Sequence, residues 1–367
     1  MNKLILAINT GSTSTKLGLF DGYKELWVET IHHKTEVLSR YKKIIDQKDF
    51  RMKFIYGFLE KKGIKLMDLD AIVGRGGLLR PIPGGTYRVN DQMIWDLKAQ
   101  KVEEHASNLG GILARAMADK AGCPAFIVDP VIVDELEPVA RISGLPELEK
   151  RSVFHALNQK AIAKKYAEDV GKKYSDLSLI VAHLGGGISV GLHHQGRVID
   201  VNNALCGEGP FSPNRTGGLP TFDFMRLCYS GKYTYEEMRV KLLKKGGLIG
   251  YLGTGDIREV IKMIENGDQK AKLVFEAMVY QVAKEIGSLA PVLGGKIDAI
   301  ILTGGIAHSE LFTGKLIEMI KFIAPVKIYP GEEELSALAA GAYRVLIGEE
   351  EAREYPHENE YVSQVAK

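Results

Sequence analysis

The sequence predicts an α/β protein built from two similar domains. Three observations carry this. Short apolar strands alternate with helical stretches along the chain. A strand–turn–strand–turn–strand unit opens the chain and returns near Leu179. At 367 residues, the chain also exceeds the size at which single cores usually stop growing. When Asn9 is laid on His183 without a gap, Gly11 falls on Gly185 and Gly22 on Gly196.

The elements follow in order. Leu4 to Ile8 is an apolar strand, Asn9 to Lys16 a Gly/Ser/Thr turn, and Leu17 to Phe20 the strand that leaves it. Asp21-Gly22 is a hairpin dipeptide leading to a third strand. A helical stretch of mixed charge runs to about Gly63, and the strand Ala71 to Gly74 enters Arg75-Gly76-Gly77. Glu103 to Lys120 reads as a helix, Ala125 to Asp129 as a strand, and Val153 to Gly171 as a helix with a terminal Gly. The opening pattern then recurs: Leu179 to Ala182, the turn His183-Leu184-Gly185-Gly186-Gly187, Ile188 to Leu192, Gln195-Gly196, and Val198 to Val201. Helices are expected near 256–266 and over 268–290. In the second, Ala271, Val274, Phe275, Met278, Val279, Val282 and Ile286 share one face. Ala299 to Leu302 is a strand entering Thr303-Gly304-Gly305-Ile306; Val326 to Tyr329 is another, and a helix from about Glu332 closes the fold. The acidic stretch from Glu349 reads as a solvated terminus. The expected domains are 1–150 with 335–367, and 151–334.

Composition excludes several classes. Hydrophobic residues make up 45% and charged residues 26%, with a net charge of +2, as in soluble globular proteins. There is no basic tail or stripe, so no nucleic-acid partner is expected. Cys123, Cys206 and Cys228 lack metal or redox spacing and read as reduced thiols of a cytoplasmic protein. The first apolar run is too short for a signal peptide, and no run approaches the roughly 20 residues of a membrane span. His32-His33 and His193-His194 fall on alternating faces and read as surface residues; His155 reads as a helix residue.

Three glycine-rich turns each follow an apolar strand: Asn9–Lys16, His183–Ser189 and Thr303–Ala307. Each alone also describes an ordinary tight turn. Three in this order, two of them inside a repeat, point to nucleotide phosphates. The Walker A pattern is absent, as is a G-x-G-x-x-G running from strand into helix.

This arrangement resembles the superfamily of acetate and sugar kinases, heat-shock chaperones and actin, which has the ribonuclease H-like fold. That resemblance implies two duplicated α/β domains with an ATP cleft between them. The finer resemblance, over nearly the whole chain, is to the acetate and butyrate kinase family. It rests on Asn9-x-Gly-Ser-Thr-Ser, Arg75-Gly-Gly, His105, Asp129-Pro, His183-Leu-Gly-Gly-Gly-x-Ser, Asn214-Arg215-Thr-Gly-Gly, Gly255-Asp256-x-Arg258 and Thr303-Gly-Gly-Ile. The length, the Gly-Arg-Gly-Gly around Arg75 and the His-Ala-Ser-Asn after Glu104 look more like the butyrate kinase branch. The resemblance implies ATP/ADP, Mg²⁺, a short-chain carboxylic acid or its acyl phosphate, and a homo-oligomer, dimer or higher.

The chemistry can be argued independently. A sugar kinase must deprotonate a hydroxyl and needs a carboxylate base near the γ-phosphate. A carboxylic acid, with a pKa of about 4–5, is already ionised and instead faces anion–anion repulsion. Asn at position 9, where the commoner hairpin has Asp, fits that demand, as do His183 and apparently free arginines at 75 and 215. The expected roles follow. Arg75 and Arg215 hold the carboxylate and the moving phosphoryl group. His183 donates to the equatorial oxygens, and His105 assists. Asp129 is the first choice for Mg²⁺, with Glu333 second and Glu334 as its alternative. Asn9, Gly11, Ser12, Thr13 and Ser14 line the first phosphate turn, and Gly185, Gly186 and Gly187 the second. Asp256 and Arg258 flank the nucleotide, and Gly304, Gly305 and Ile306 receive the purine. The expected activity is a butyrate or isobutyrate kinase. The rivals are an acetate or propionate kinase, an actin-like or chaperone-like ATPase, and a sugar kinase.

Overall fold

The computed structural model describes residues 3–99 and 105–357. The chain divides into two compact units, Met1–Asp134 with Glu333–Lys367, and Glu135–Glu332. Residues 135–150 thus group with the second unit. The Glu135 carboxylate takes the Lys160 ammonium at 2.8 Å and the Val198 N–H at 2.8 Å, and Glu137 N–H donates to the Ile199 carbonyl.

The first unit holds β1 (Leu4–Thr10), β2 (Ser14–Asp21), β3 (Lys24–His32), β4 (Ala71–Arg75), β5 (Thr86–Arg88) and β6 (Ala125–Val128). The second holds β7 (Ser178–Leu184), β8 (Ile188–His194), β9 (Arg197–Val201), β10 (Ala299–Gly304) and β11 (Val326–Pro330), and β12 (Arg353–Glu354) returns to the first. The sheet orders are β12-β5-β6-β4-β1-β2-β3 and β11-β10-β7-β8-β9. In each, a three-strand antiparallel meander continues through two parallel strands. The same five-strand core therefore occurs twice, and the first copy adds β5 and β12 at its edge.

Register refines the repeat. The last paired positions at the hairpin tips are Thr10 with Thr15 and Leu184 with Ile188, so the first tip is one residue longer. The gapless superposition holds along β1 and β7 and breaks at the tip. Beyond it, Gly22 falls on Gln195 rather than Gly196. Gly22 (φ 61°) and Gln195 (φ 51°) both take the left-handed conformation that the turn demands.

The helices cover apolar strands buried on both faces. In the first unit, the helix Asn108–Ala121 packs on β4 and β6, and Glu334–Leu346 packs on β1, β4 and β6. The first contact is very close: a Cβ on Gly74 would stand 2.1 Å from the Gly110 carbonyl oxygen. In the second unit, the helix Gln269–Leu289 buries all seven residues of its predicted face. The helix predicted from Glu103 begins at Asn108; Glu103 and Glu104 lie outside the described residues.

Two expectations are overturned. The stretch after Glu349 is not a solvated terminus. Glu350 accepts the Thr86 N–H at 3.0 Å and pairs with Arg344 at 2.9 Å. β12 extends the sheet beside β5, and Tyr355 is 1% exposed, its hydroxyl donating to Asp96 at 2.7 Å. A single aromatic residue within the acidic run anchors it.

Nor are both histidine pairs on the surface. His193 is fully buried between Tyr174 and Gln159, and burial holds its pKa well below the ordinary range. His33 is also buried, 2.8 Å from Thr15 Oγ1, and burial together with the Arg51 charge brings it down to about 4. An unfolded imidazole titrates near 6.5. Between about pH 6.5 and 4, the unfolded chain therefore binds more protons, and stability is lost as pH falls through that window. His33→Gln is expected to flatten the fall in melting temperature between pH 7 and 4.5, followed by circular dichroism. An unchanged slope would remove His33 from the account; His193 contributes with the same sign.

Candidate active site

In the first unit, the β1–β2 tip gathers groups distant in sequence. Asn9 is buried at the end of β1. Its side-chain amide donates to Glu334, while its Oδ1 accepts from Arg75 Nη1 at 3.3 Å. Arg75, at the end of β4, forms a two-point pair with Glu334: Nη1 to Oε2 at 3.2 Å and Nη2 to Oε1 at 3.1 Å. Glu334 is the first residue of its helix, where a carboxylate also meets the helix dipole favourably. Two expectations change. Arg75 is not free. The tip does not lack a carboxylate either, because the chain brings one from 325 positions away. That carboxylate is neutralised by Arg75 and occupied by Asn9, so it is poorly placed to act as a base. Of Glu333 and Glu334, the second joins this cluster, while Glu333 precedes the helix with no side-chain cap bond.

Asp129 sits at the end of β6, 3% exposed, with φ 37°, one of two non-glycine residues in that region among the described residues. Its Oδ1 accepts the Gly85 N–H at 2.7 Å. Such backbone strain persists where surrounding structure enforces it, and it clusters at functional sites. His105 is exposed, and its Nδ1 accepts the Ser107 N–H at 3.2 Å. Thr10 Oγ1 donates to the Ala106 carbonyl at 2.8 Å, tying this turn to the β1–β2 hairpin. Ser12 and Thr13 at the tip are exposed, and so is Lys16 on β2.

In the second unit, His183 ends β7 and is 2% exposed. Its Nδ1 lies 2.8 Å from Asn158 Oδ1 and its Nε2 lies 3.1 Å from Glu332 Oε1. His155 stacks on it, with centroids 3.8 Å apart and planes 11° from parallel. His155 is not within the helix, as the sequence reading had it, but at the N-cap of Ala156–Asp169. Ser189 Oγ lies 2.9 Å from His155 Nδ1 and accepts from Gln159 Nε2 at 2.8 Å. With the hydroxyl thus donating to Nδ1, the network assigns the His155 proton to Nε2.

Arg215 packs against the glycine tip. A Cβ on Gly187 would stand 2.2 Å from Arg215 Nη1 and 3.4 Å from His155 Cε1, so only glycine admits this approach. Arg215 Nη1 donates to the Ala204 carbonyl at 2.5 Å, and Ser212 Oγ donates to the Gly186 carbonyl at 2.6 Å. Burial lowers the Arg215 pKa. Among the described residues, Arg215 Nε and Asn214 Oδ1 are buried without a hydrogen-bond partner, as are His33 Nδ1 and Thr86 Oγ1.

A cavity of 930 Å³ in this unit is lined by Gly185, Gly186, Asp256, Arg258, Gly305 and Ile306, among others. Six residues predicted for the nucleotide thus share one wall system, at a volume in the ligand-binding range. Asp256 and Arg258 form a two-point pair, at 2.9 and 2.5 Å, which holds the Asp256 carboxyl down to about 2. Gly187 and Gly304, also predicted for the nucleotide, do not line it. Gly304, at φ 90°, backs onto Leu184, where a Cβ would stand 2.4 Å from the Leu184 carbonyl oxygen.

Among the described residues, no three His, Cys, Asp or Glu side chains gather as a metal cage. The Asp129 carboxylate suits Mg²⁺, which takes most of its shell from phosphate oxygens and water, whereas both Glu334 oxygens are held by Arg75. Sequence reasoning missed His155, Asn158 and Glu332. Their signal is spatial: they meet His183 from a helix start and from the far end of the unit.

Residues 147–346 match the acetokinase family. The chain is 54% identical over 351 residues to butyrate kinase 2 of Clostridium acetobutylicum, covering 96% of this chain and 99% of the relative. This chain belongs to the acetokinase family. Butyrate kinase 1 of the same organism matches at the same identity and coverage, 54% over 351 residues. The fold is that of acetokinase structures. An acetate kinase from Porphyromonas gingivalis superposes with a TM-score of 0.77 at 17% identity, covering 94% of this chain and 100% of that one. A propionate kinase from Francisella tularensis superposes with 0.72 at 20% identity, covering 92% and 98%. Among the described residues of this acetokinase, no helix is long and apolar enough to cross a membrane.

Proposed function

We propose that this acetokinase is a butyrate kinase, acting on butyrate or a branched relative such as isobutyrate. It moves the γ-phosphoryl group of ATP reversibly onto the carboxylate. The observation that carries this is the match to butyrate kinases over nearly the whole of both chains. A carboxylate oxygen attacks the γ-phosphorus, the bond to the bridging oxygen breaks, and ADP leaves with that electron pair. No proton is removed from the acid, which is already ionised.

The residues divide the work. Arg215 holds the carboxylate or the transferring group through its unpartnered Nε. His183 donates to the equatorial oxygens, and the stacked His155 presents a second imidazole beside it. Arg75, steadied by Glu334, adds positive charge at the first hairpin, and His105 assists there. Thr13 and its neighbours, with Gly185 and Gly186, supply backbone donors to phosphate. Asp256, Arg258, Gly305 and Ile306 hold the nucleoside. Asp129, with Glu333 second, is the carboxylate that would hold Mg²⁺, whose charge would offset repulsion between the two anions. A cytoplasmic homo-oligomer, dimer or higher, belongs to the same reading. The helix Thr221–Cys228, which buries none of its residues while exposing Phe222 and Met225, supports the oligomer.

Trapping the acyl phosphate with hydroxylamine, with ATP, Mg²⁺ and acids from acetate to valerate plus isobutyrate, tests the assignment. Butyrate or isobutyrate is expected to give the fastest hydroxamate formation. Fastest turnover of acetate would overturn the butyrate assignment, and no product from any acid would overturn the carboxylate kinase.

A further inference from the structure

Among the described residues, Arg51 is the largest fully buried side chain, 0% exposed, and the site described above does not use it. It projects from the helix Lys48–Lys61 to the back of the β1–β2 tip. Nη1 donates to the Ser14 carbonyl at 2.7 Å and to Thr15 Oγ1 at 3.0 Å. Nη2 donates to the Ser12 carbonyl at 3.2 Å, and Gln47 Oε1 accepts from Nε at 3.1 Å and Nη2 at 2.9 Å. None of these acceptors is a carboxylate. Burial lowers its pKa to about 10, which leaves it charged at neutral pH. A buried, uncompensated cation is costly, and a chain that needed only packing there would do better with an apolar side chain.

The fork also sets the direction of the tip. In a trans peptide, the carbonyl of one residue and the N–H of the next point in opposite directions. Arg51 pulls the Ser12 carbonyl backward, so the Thr13 N–H points forward. The His33 N–H holds the Thr13 carbonyl at 2.8 Å. The Ser14 carbonyl is held twice, by Arg51 and by the Gly11 N–H at 2.9 Å. Thr13, which belongs to neither strand, is exposed, and its N–H donates to no group among the described residues. A backbone N–H aimed away from an arginine that meets no carboxylate among the described residues suits an anion.

We infer that Arg51 is a positioning residue for phosphoryl transfer, its guanidinium fixing the Ser12 and Ser14 carbonyls so that the tip donors meet the phosphate. This rests on the hairpin's binding phosphate, as proposed above. The phosphate itself supplies the negative charge that the protein leaves out. Lysine could not replace the fork, because a single ammonium does not present two planar donors to two carbonyls.

Steady-state kinetics of wild type, Arg51→Met and Arg51→Lys test this, with ATP and the acid that wild type uses best. Arg51→Met is expected to lower kcat/KM for ATP about 100-fold, with KM for ATP rising about tenfold. Arg51→Lys should fall between it and wild type, and KM for the acid should stay within about twofold of wild type in both. A purely structural loss reduces the number of active molecules and leaves both KM values unchanged. Folded variants with wild-type KM for ATP would therefore overturn the inference. If Arg51→Met does not fold, Arg51→Lys decides alone by the same criterion. Wild-type hydroxamate formation reports on the assignment of function separately, so the two can fail independently.

Discussion

Replacing Arg215 with alanine is expected to lower acyl phosphate formation about 10³-fold while ATP binding is retained. The guanidinium lies against Gly187 with its Nε unpartnered, and the contact it gives up within the protein is the Ala204 carbonyl. The folded state thus loses little, and the transition state loses a charged donor. Hydroxamate rates measure the first effect and calorimetric titration with ATP the second. A variant with wild-type turnover would remove Arg215 from the chemistry. One that no longer binds ATP would move it from the phosphoryl group to the nucleotide.

Gly74→Ala is expected to destabilise the first unit by about 3 kcal/mol. The added Cβ would stand 2.1 Å from the Gly110 carbonyl oxygen, backbone against side chain, with no flexible group to give way. For a unit of this size, that corresponds to about 6–12 °C in melting temperature. Gly57→Ala is the matched control: nothing lies within 4 Å of that Cβ, on an exposed position of the helix Lys48–Lys61. That change should be neutral or stabilising by up to about 1 kcal/mol. Melting followed by circular dichroism separates the two, and equal shifts would mean that the helix–strand contact has room to relax. Because Arg75 follows Gly74 on β4, loss of this contact should also disturb the Glu334 pair.

The strands were legible because a buried strand and its glycine turn leave a short, one-dimensional signal. Leu4 to Ile8, Leu179 to Ala182 and Ala299 to Leu302 all lie within observed strands. The long helix from Gln269 was equally plain from its apolar face. β5 and β12 were not, because three- and two-residue edge strands carry no periodicity. The same division runs through the site. Arg75, His183 and Arg215 stand in glycine-rich contexts that call attention to them. Glu334 reaches Asn9 from 325 positions away, His155 reads as a helix residue, and Arg51 lies in the first turn of a helix between two apolar residues. Each owes its place to tertiary contacts that a local pattern cannot express.

The division of the chain has a consequence for the order in which the protein is made. The second unit is continuous, Glu135–Glu332, whereas the first takes its closing helix and last strand from Glu333 onward. On the ribosome, the second unit can therefore fold while the first still lacks the helix that covers β1. The carboxylate that orders Arg75, and the tyrosine that seals the sheet edge, are synthesised after the whole of the second unit. A nascent chain halted before Glu334 would carry the complete cavity of the second unit and a β1–β2 hairpin still without its carboxylate. Vectorial synthesis thus finishes the cavity before the hairpin.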